Sequence, residues 1–183
     1  MLSSRYERRK KRREIRSKLK DPRVRKMLGD ELRRGGKGTE TYTVTHADTG
    51  EQIYFNISDM REWAEANLQV VPAAPNYEVA MRLVGDETVN PDYIAEHTLQ
   101  TKPKPIIICR YVFGGDQVVD GSHRFVAFCA GCAAWNLTDV YFPAYILQPD
   151  EWQQFVIPDS VVRACGFNKS YDAWIESKES STK

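Results

Sequence analysis

One stretch near the middle of the chain limits the fold more than any other. Residues 105–112 are apolar except for Arg110 and read as a buried strand, and a Gly-Gly-Asp turn signal at 114–116 separates them from a second short strand predicted at 117–119. A tight Asp120-Gly121 corner follows. Beyond that corner, apolar side chains recur at helical spacing, at Phe125, Phe128, Cys129 and Cys132. The pattern predicts a strand, a turn, a second strand, a corner and a helix.

The corner itself carries the main chemical signal. Either Asp120 or Ser122 is expected to cap the helix, which places His123 and Arg124 in its first turn. Backbone N–H groups there have no partner within the helix, and the helix dipole is positive at this end. A helix start with these side chains suits an anion such as phosphate. The alternative is an ordinary strand-to-helix corner with Arg124 turned to solvent.

Residues 105–127 resemble the core of the ParB/sulfiredoxin superfamily. Its members share two strands followed by a Gly-x-x-Arg-x-x-Ala helix start, represented here by Gly121, Arg124 and Ala127. The sequence Asp-Gly-Ser-His-Arg at 120–124 is similar to that of ParB-like nucleotide-binding and kinase members. In those families the segment holds the phosphates of ATP or CTP, sometimes with a metal ion. The small size of the chain, its basic N-terminal segment and this motif together resemble accessory proteins of phages and mobile elements, so we expect a phage or mobile-element member.

The resemblance implies a role for each residue of the corner. Gly121, Ser122, His123 and Arg124 are expected to bind phosphate, with the guanidinium neutralising its charge. His123 is a hydrogen-bond donor that becomes cationic when protonated. Asp120 and His123 are the candidate catalytic residues, because Asp120 would hold Mg²⁺ or orient an attacking hydroxyl in a kinase. The implied cofactors are ATP or CTP, with Mg²⁺.

Two departures from the superfamily narrow the function. Sulfiredoxins have a reactive cysteine where this chain has Ser122, and a hydroxyl lacks the thiolate needed for sulfinic acid reduction. ParB segregation proteins have two arginines where this chain has His123 and Arg124. We therefore expect neither a sulfiredoxin nor a complete partition protein.

The charge distribution predicts a basic arm in front of an acidic body. Residues 5–37 contain sixteen Lys or Arg and five Asp or Glu, a net charge of +11, whereas the rest of the chain carries −10. Helices are expected at 4–20 and 22–33, with Asp21 capping the second. Such an arm suits nucleic acid, with DNA as the first candidate and RNA as the alternative. A solubilising tail, or docking on the acidic body, is the other interpretation. The candidate contacts are Arg8, Arg9, Lys10, Lys11, Arg12, Arg13 and Arg16.

The predicted fold is α+β, a small mixed sheet of ParB/sulfiredoxin type with packed helices behind a basic helical arm. The expected domains are the arm at 1–38, the ParB-like domain at 39–178 and a tail at 179–183. Further predictions are a hairpin over 40–56, a helix over 59–67 capped by Ser58, a helix over 77–84, a helix over 91–97 and a strand over 140–147. In the helix at 77–84 the apolar face is expected to comprise Tyr77, Ala80, Met81 and Val84.

The Cys129-x-x-Cys132 pair has three interpretations: a redox pair, half of a zinc site, or small core residues. Its place in a helix interior among alanines, with no second such pair, favours core residues. No long apolar run is present, so we expect no secretory signal, no transmembrane helix and a cytoplasmic protein, in the host cytoplasm if a phage encodes it.

Three classes of function stay open. The first is a nucleotide-dependent enzyme acting with DNA, such as a ParB-like kinase, NTPase or nuclease. The second is a nucleotide-gated DNA-binding module without turnover. The third is a DNA-binding accessory or structural protein that needs no nucleotide. The expected partners are a nucleotide, nucleic acid and, as a further hypothesis, a second copy of the chain in a homo-oligomer, but no membrane.

Overall fold

The computed structural model describes residues 13, 17, 20–25, 40–85, 89, 94 and 103–165. Its contacts divide the chain into two compact units, Tyr42–Val156 and the residues on either side of that range. Helices and strands both contribute to the larger unit, which confirms the α+β class. None of the helices in the described part of the chain is long and apolar enough to cross a membrane.

The elements are numbered here in chain order. They are β1 (Thr41–Thr45), β2 (Gln52–Asn56), α1 (Ile57–Asn67), β3 (Val71–Ala73), α2 (Tyr77–Gly85), β4 (Ile106–Val112), β5 (Gly115–Asp120), α3 (Ser122–Ala134), β6 (Phe142–Leu147), α4 (Pro149–Trp152), a 3₁₀ turn (Gln153–Phe155), β7 (Val156–Ile157) and α5 (Asp159–Cys165). The predicted strand–turn–strand–corner–helix unit is therefore present as β4, β5 and α3. The predicted hairpin over 40–56 is present as β1 and β2.

The principal sheet is mixed, as predicted, and has the strand order β3-β6-β4-β5. Strands β4 and β6 run parallel, with Ile107 opposite Tyr145. Strand β5 returns antiparallel to β4, which brings Asp120 opposite Ile107. A smaller sheet has the order β1-β2-β7. The end of β5 and the start of α3 therefore lie beside the first residues of the central strand β4.

Strand β4 is buried because both faces of the principal sheet are covered. Ile106 belongs to a cluster with Phe125 of α3, whereas Ile107 belongs to a second cluster with Phe55 and Met60. Successive strand residues point to opposite faces, so a strand segment covered on both sides has consecutive apolar residues, as at 106–109. Burial of one such isoleucine contributes about 1.5–3 kcal/mol. The apolar residues at 105–109 thus reflect the central position of β4.

The cysteine pair lies in the interior of α3, where Cys129 and Cys132 are buried as free thiols. Burial raises the pKa of Cys129 to about 11 and also raises the pKa of Cys132. A thiol with a raised pKa forms little thiolate at neutral pH and is a poor nucleophile or metal ligand. The interpretation of the pair as core residues is confirmed.

Helix α1 begins two residues earlier than its predicted cap implies. The N-cap residue is Asn56, whose side chain accepts a hydrogen bond from the Asp59 backbone N–H at 3.1 Å. The prediction of Ser58 as the cap was wrong, because Ser58 already lies inside the helix. Asn56 ends β2, so strand and helix meet without a loop, a junction that an apolar period does not reveal.

Helix α2 is present at Tyr77–Gly85, but its predicted apolar face was wrong in part. Ala80 is the one predicted residue that is buried, together with Leu83, whereas Met81 is 71%, Tyr77 47% and Val84 40% exposed. Apolar residues occupy more than one side of this helix. Sequence spacing alone therefore does not decide which side packs against the neighbouring elements.

Part of the basic arm belongs to the described residues. Pro22–Arg25 is helical, and the Asp21 carboxylate accepts a hydrogen bond from the Arg23 backbone N–H at 2.8 Å, as predicted for a cap. Arg13 and Ser17 are also helical. The other six candidate nucleic-acid contacts lie outside the described residues, as does the predicted helix at 91–97 except for Ile94.

Candidate anion-binding site

The candidate site is built around the start of α3. Gly121 occupies the N-cap position with φ +80° and ψ 25°, in the left-handed region, and no side chain caps the helix. The first intrahelical hydrogen bond runs from the Phe125 N–H to the Gly121 carbonyl at 3.0 Å. The first-turn N–H groups precede that bond and have no acceptor within the helix. The prediction that Asp120 or Ser122 caps α3 was therefore wrong.

Both expected caps are engaged elsewhere, which explains the error. The Ser122 hydroxyl donates to the Val118 carbonyl at 3.4 Å and is buried, with 7% of the residue exposed. The Asp120 carboxylate points to arginine side chains instead of the helix N–H groups. A glycine in the left-handed region makes the corner without a capping side chain.

Asp120 forms its shortest contacts with Arg61 of α1, a residue that the sequence did not identify as part of the site. Arg61 Nε donates to Asp120 Oδ2 at 2.9 Å, and Arg61 Nη2 lies 2.8 Å from Asp120 Oδ1. This is a two-point fork, the geometry in which arginine binds carboxylate most strongly. The Arg61 side chain is 37% exposed, whereas Asp120 is 8% exposed.

Arg124 approaches the same carboxylate from α3, but its shorter contact is with a backbone carbonyl. Its Nη2 lies 3.6 Å from Asp120 Oδ1 and donates to the Pro105 carbonyl at 3.4 Å. Its Nε is buried and has no acceptor among the described residues. The side chain is 19% exposed. An unsatisfied buried donor costs about 1–3 kcal/mol, so the position of this guanidinium carries an energetic cost.

Gly121 lets Arg124 fold back over the corner. A Cβ atom at position 121 would lie 2.5 Å from Arg124 Nη2 and 2.8 Å from Ile106 Cγ2. Both distances are far below van der Waals contact. The glycine of the Gly-x-x-Arg pattern is therefore required for two reasons. Its φ is positive, and the guanidinium occupies the space that a Cβ atom would need.

The cluster formed by the Arg61, Asp120 and Arg124 side chains has an excess of positive charge. Two guanidinium groups share one carboxylate, which leaves a net charge of +1 on these three side chains. The amino end of α3 adds the equivalent of about +0.5. His123 is half-buried in the first turn of the same helix. The structure thus brings Asp120, Gly121, Ser122, His123 and Arg124 together, as expected for one contiguous segment.

The described residues do not fit a resident metal ion. No group of three or more His, Cys, Asp or Glu side chains in the described ranges could hold one. Asp120, the predicted metal ligand, has guanidinium nitrogens against both oxygens. These cations occupy the positions from which the carboxylate would bind a metal.

Arg61 could not be found by searching for a local motif. It lies 59 residues before Asp120 and reaches it only through the packing of α1. One weak signal was available: Arg61 borders the buried side of an amphipathic helix, next to Met60, which is fully buried. A basic residue in that position extends along the protein surface and can meet a carboxylate on a neighbouring element.

No protein-family model, curated protein or solved structure matches this chain.

Proposed function

We propose that this protein binds the phosphate group of a nucleotide, ATP or CTP, at the start of α3. The observation that supports the proposal most is the convergence of Arg61 and Arg124 on one carboxylate beside an uncapped helix start. Guanidinium groups and first-turn N–H groups are the donors that proteins use most often for phosphate. The resemblance of residues 105–127 to the ParB-like core supports the same ligand class.

The proposal assigns a specific phosphate-binding contribution to Ser122, His123 and Arg124. Because the Ser122 hydroxyl is buried and donates to the Val118 carbonyl of the preceding strand β5, Ser122 offers its backbone N–H to the ligand. His123 adds a donor from the first turn, and Arg124 adds charge. Mg²⁺ enters only as the ion that accompanies the nucleotide. Catalytic roles for Asp120 and His123 remain predictions.

DNA is the proposed partner of the basic arm, on the basis of its net charge of +11. A ligand-binding unit joined to such an arm suits either a ParB-like kinase, NTPase or nuclease, or a module whose DNA binding the nucleotide gates. Turnover of the nucleotide in the presence of Mg²⁺ would separate the enzyme from the gated module.

Calorimetric titration of ATP, CTP and GTP with Mg²⁺, with and without duplex DNA, tests the proposal. We expect wild type to bind at least one nucleotide and Arg124→Ala to lose binding. Arg82→Ala is the matched control, since Arg82 is an exposed arginine whose guanidinium donates to the Asp116 carbonyl and to Gln117, near the beginning of β5. It should bind like wild type. Failure of wild type to bind under every condition would refute the proposal.

The alternative is a DNA-binding accessory protein without a nucleotide. One observation favours it: the charges of the cluster are partly satisfied by each other, through the fork between Arg61 and Asp120. In that case the cluster only joins α1 to the β5–α3 corner. Salt-sensitive DNA binding by a wild type that binds no nucleotide is the result that this alternative predicts.

A further inference from the structure

We propose that helix α2 is a dimerisation face, at which two copies of this protein pack with their α2 helices antiparallel. The inference goes beyond the proposed function, because α2 contributes no residue to the phosphate site. The face is formed by the exposed side chains of α2, and we call it the α2 face. It comprises Tyr77, Glu78, Met81, Arg82 and Val84.

An apolar stripe runs along the α2 face. Tyr77, Met81 and Val84 are spaced at i, i+4 and i+7, so they lie on one side of the helix. Their exposed fractions are 47%, 71% and 40%, whereas Ala80 and Leu83 are buried in the core that α2 shares with α3. A helix with apolar residues on two sides is usually covered on both. The described residues of the protein cover only one of these sides.

The charged residues of the α2 face have no ionic partner among the described residues. Glu78 and Arg82 have the i, i+4 spacing at which helical ion pairs form, yet the two side chains are not paired. The Glu78 carboxylate accepts no hydrogen bond from a described residue. The Arg82 guanidinium donates to neutral groups, the Asp116 carbonyl at 3.3 Å and the Gln117 side chain at 3.0 Å. One negative and one positive charge therefore lie beside the stripe without compensation.

The order of these charges fits a second copy of the same helix. In an antiparallel pair with a two-fold axis near Ala80, a residue two positions before Ala80 lies level with the residue two positions after it in the other copy. Glu78 of each copy is then level with Arg82 of the other, on the same flank, so the attraction occurs twice. Tyr77 lies next to Val84 of the second copy, and the two Met81 side chains meet near the axis. A face that complements itself in this way is suited to an isologous dimer.

The size of the α2 face indicates a weak dimer. Stable interfaces bury about 1,200–2,000 Å² in total, which is more than one side of a nine-residue helix supplies. The dimer is therefore expected to form at high protein concentration and to dissociate on dilution.

Sedimentation equilibrium of the full chain over a range of protein concentrations tests the proposal. Wild type should self-associate reversibly. Met81→Glu brings two carboxylates together near the axis and should weaken association at least about tenfold. Because Met81 is 71% exposed, this variant should keep the melting temperature of wild type. Tyr111→Asn is the matched control, since Tyr111 is a 59% exposed apolar residue of β4, and it should associate like wild type.

A charge exchange separates the proposed pairing from general adhesion of apolar side chains. Glu78→Arg alone and Arg82→Glu alone each place like charges level with each other, so each should weaken the dimer. The double variant Glu78→Arg/Arg82→Glu restores opposite charges at the same positions and should recover association. Melting temperatures of all three variants identify any loss that comes from unfolding instead of from the interface.

Three results would overturn the proposal. A wild type that stays monomeric at every concentration would leave the α2 face to a partner other than a second copy. Association that Met81→Glu leaves unchanged would place the contact between copies on another surface. A folded double variant that associates no better than the single variants would show that Glu78 and Arg82 do not face each other across the axis.

Discussion

At the scale of single residues, Asp120 determines whether the corner can hold two arginines. Arg124 is largely buried, and Arg61 is brought close to it by the same carboxylate. Like charges repel each other strongly where water is partly excluded. The carboxylate removes that repulsion, which makes Asp120 a structural counter-ion as well as a candidate functional group.

Asp120→Asn should lower the free energy of unfolding by about 1–3 kcal/mol. The value is below that for a fully buried ion pair because Arg61 is partly exposed. Asp116→Asn is the control, since that exposed carboxylate pairs with exposed Arg110 at 3.3 Å and should matter by less than about 1 kcal/mol. Urea unfolding of both variants provides the measurement. Equal losses in the two variants would show that Asp120 is not an ion-pair centre.

Gly121→Ala should destabilise the protein more than Gly114→Ala. Both glycines have positive φ, +80° and +81°, so both substitutions carry the left-handed strain of about 1–2 kcal/mol. Only position 121 has neighbours within reach of a new Cβ, namely Arg124 and Ile106. The difference between the two free energies of unfolding isolates that clash. A difference near zero would contradict the described packing of Arg124 over Gly121.

At the scale of secondary-structure elements, the buried strand β4 contains a thiol that reports on the core. Cys109 is fully buried, and burial raises its pKa from 9.0 to about 12. In the unfolded chain the thiol loses its proton near pH 9, whereas in the folded protein it keeps the proton up to about pH 12. The unfolded state therefore binds fewer protons over this interval, and stability must fall as the pH rises through it.

The Cys109 contribution can be measured by comparing wild type with Cys109→Ala. Between pH 9 and 11 the free energy of unfolding of wild type should fall by up to about 1.4 kcal/mol per pH unit more than that of the variant. Below pH 8 the two curves should run parallel, because the thiol is then protonated in both states. Parallel curves up to pH 11 would mean that the Cys109 thiol is not buried in the folded protein.

Local and long-range features of the elements differed in how well the sequence predicted them. Strands β4 and β5 and helix α3 were predicted because their apolar periods and the Asp-Gly corner lie within one contiguous segment. The cap of α3 was predicted wrongly because Asp120 is drawn to Arg61, a contact across 59 residues. The candidate corner residues followed from the motif, but Arg61 depends on how α1 packs, which no local pattern specifies.

At the scale of the whole molecule, the division of charge is the dominant feature. A net +11 within residues 5–37 and −10 elsewhere produce a dipolar chain with an overall charge of only +1. Lysine and arginine that bind phosphates release counter-ions from DNA, so such binding weakens steeply with salt. The overall charge of +1 therefore does not reveal the basic segment that is suited to DNA.

Replacing Arg8, Arg9, Lys10, Lys11, Arg12, Arg13 and Arg16 by glutamine in the full chain should weaken duplex DNA binding and flatten its salt dependence. Each lost phosphate contact should reduce the slope of log K against log salt by about 0.9. Fluorescence anisotropy at several salt concentrations measures this. Pyrophosphate binding should be unchanged in the same variant, which controls for misfolding. An unchanged salt slope would remove the arm from the account of DNA binding.

The central claim is that the α3 corner recognises phosphate. Titration of ATP or CTP with Mg²⁺ into wild type, repeated in saturating pyrophosphate, tests it most directly. The account predicts that a nucleotide binds and that pyrophosphate abolishes the binding, because Arg61, Arg124 and the start of α3 would recognise the phosphate and not the base. Absence of nucleotide binding, or binding that pyrophosphate leaves unchanged, would contradict it.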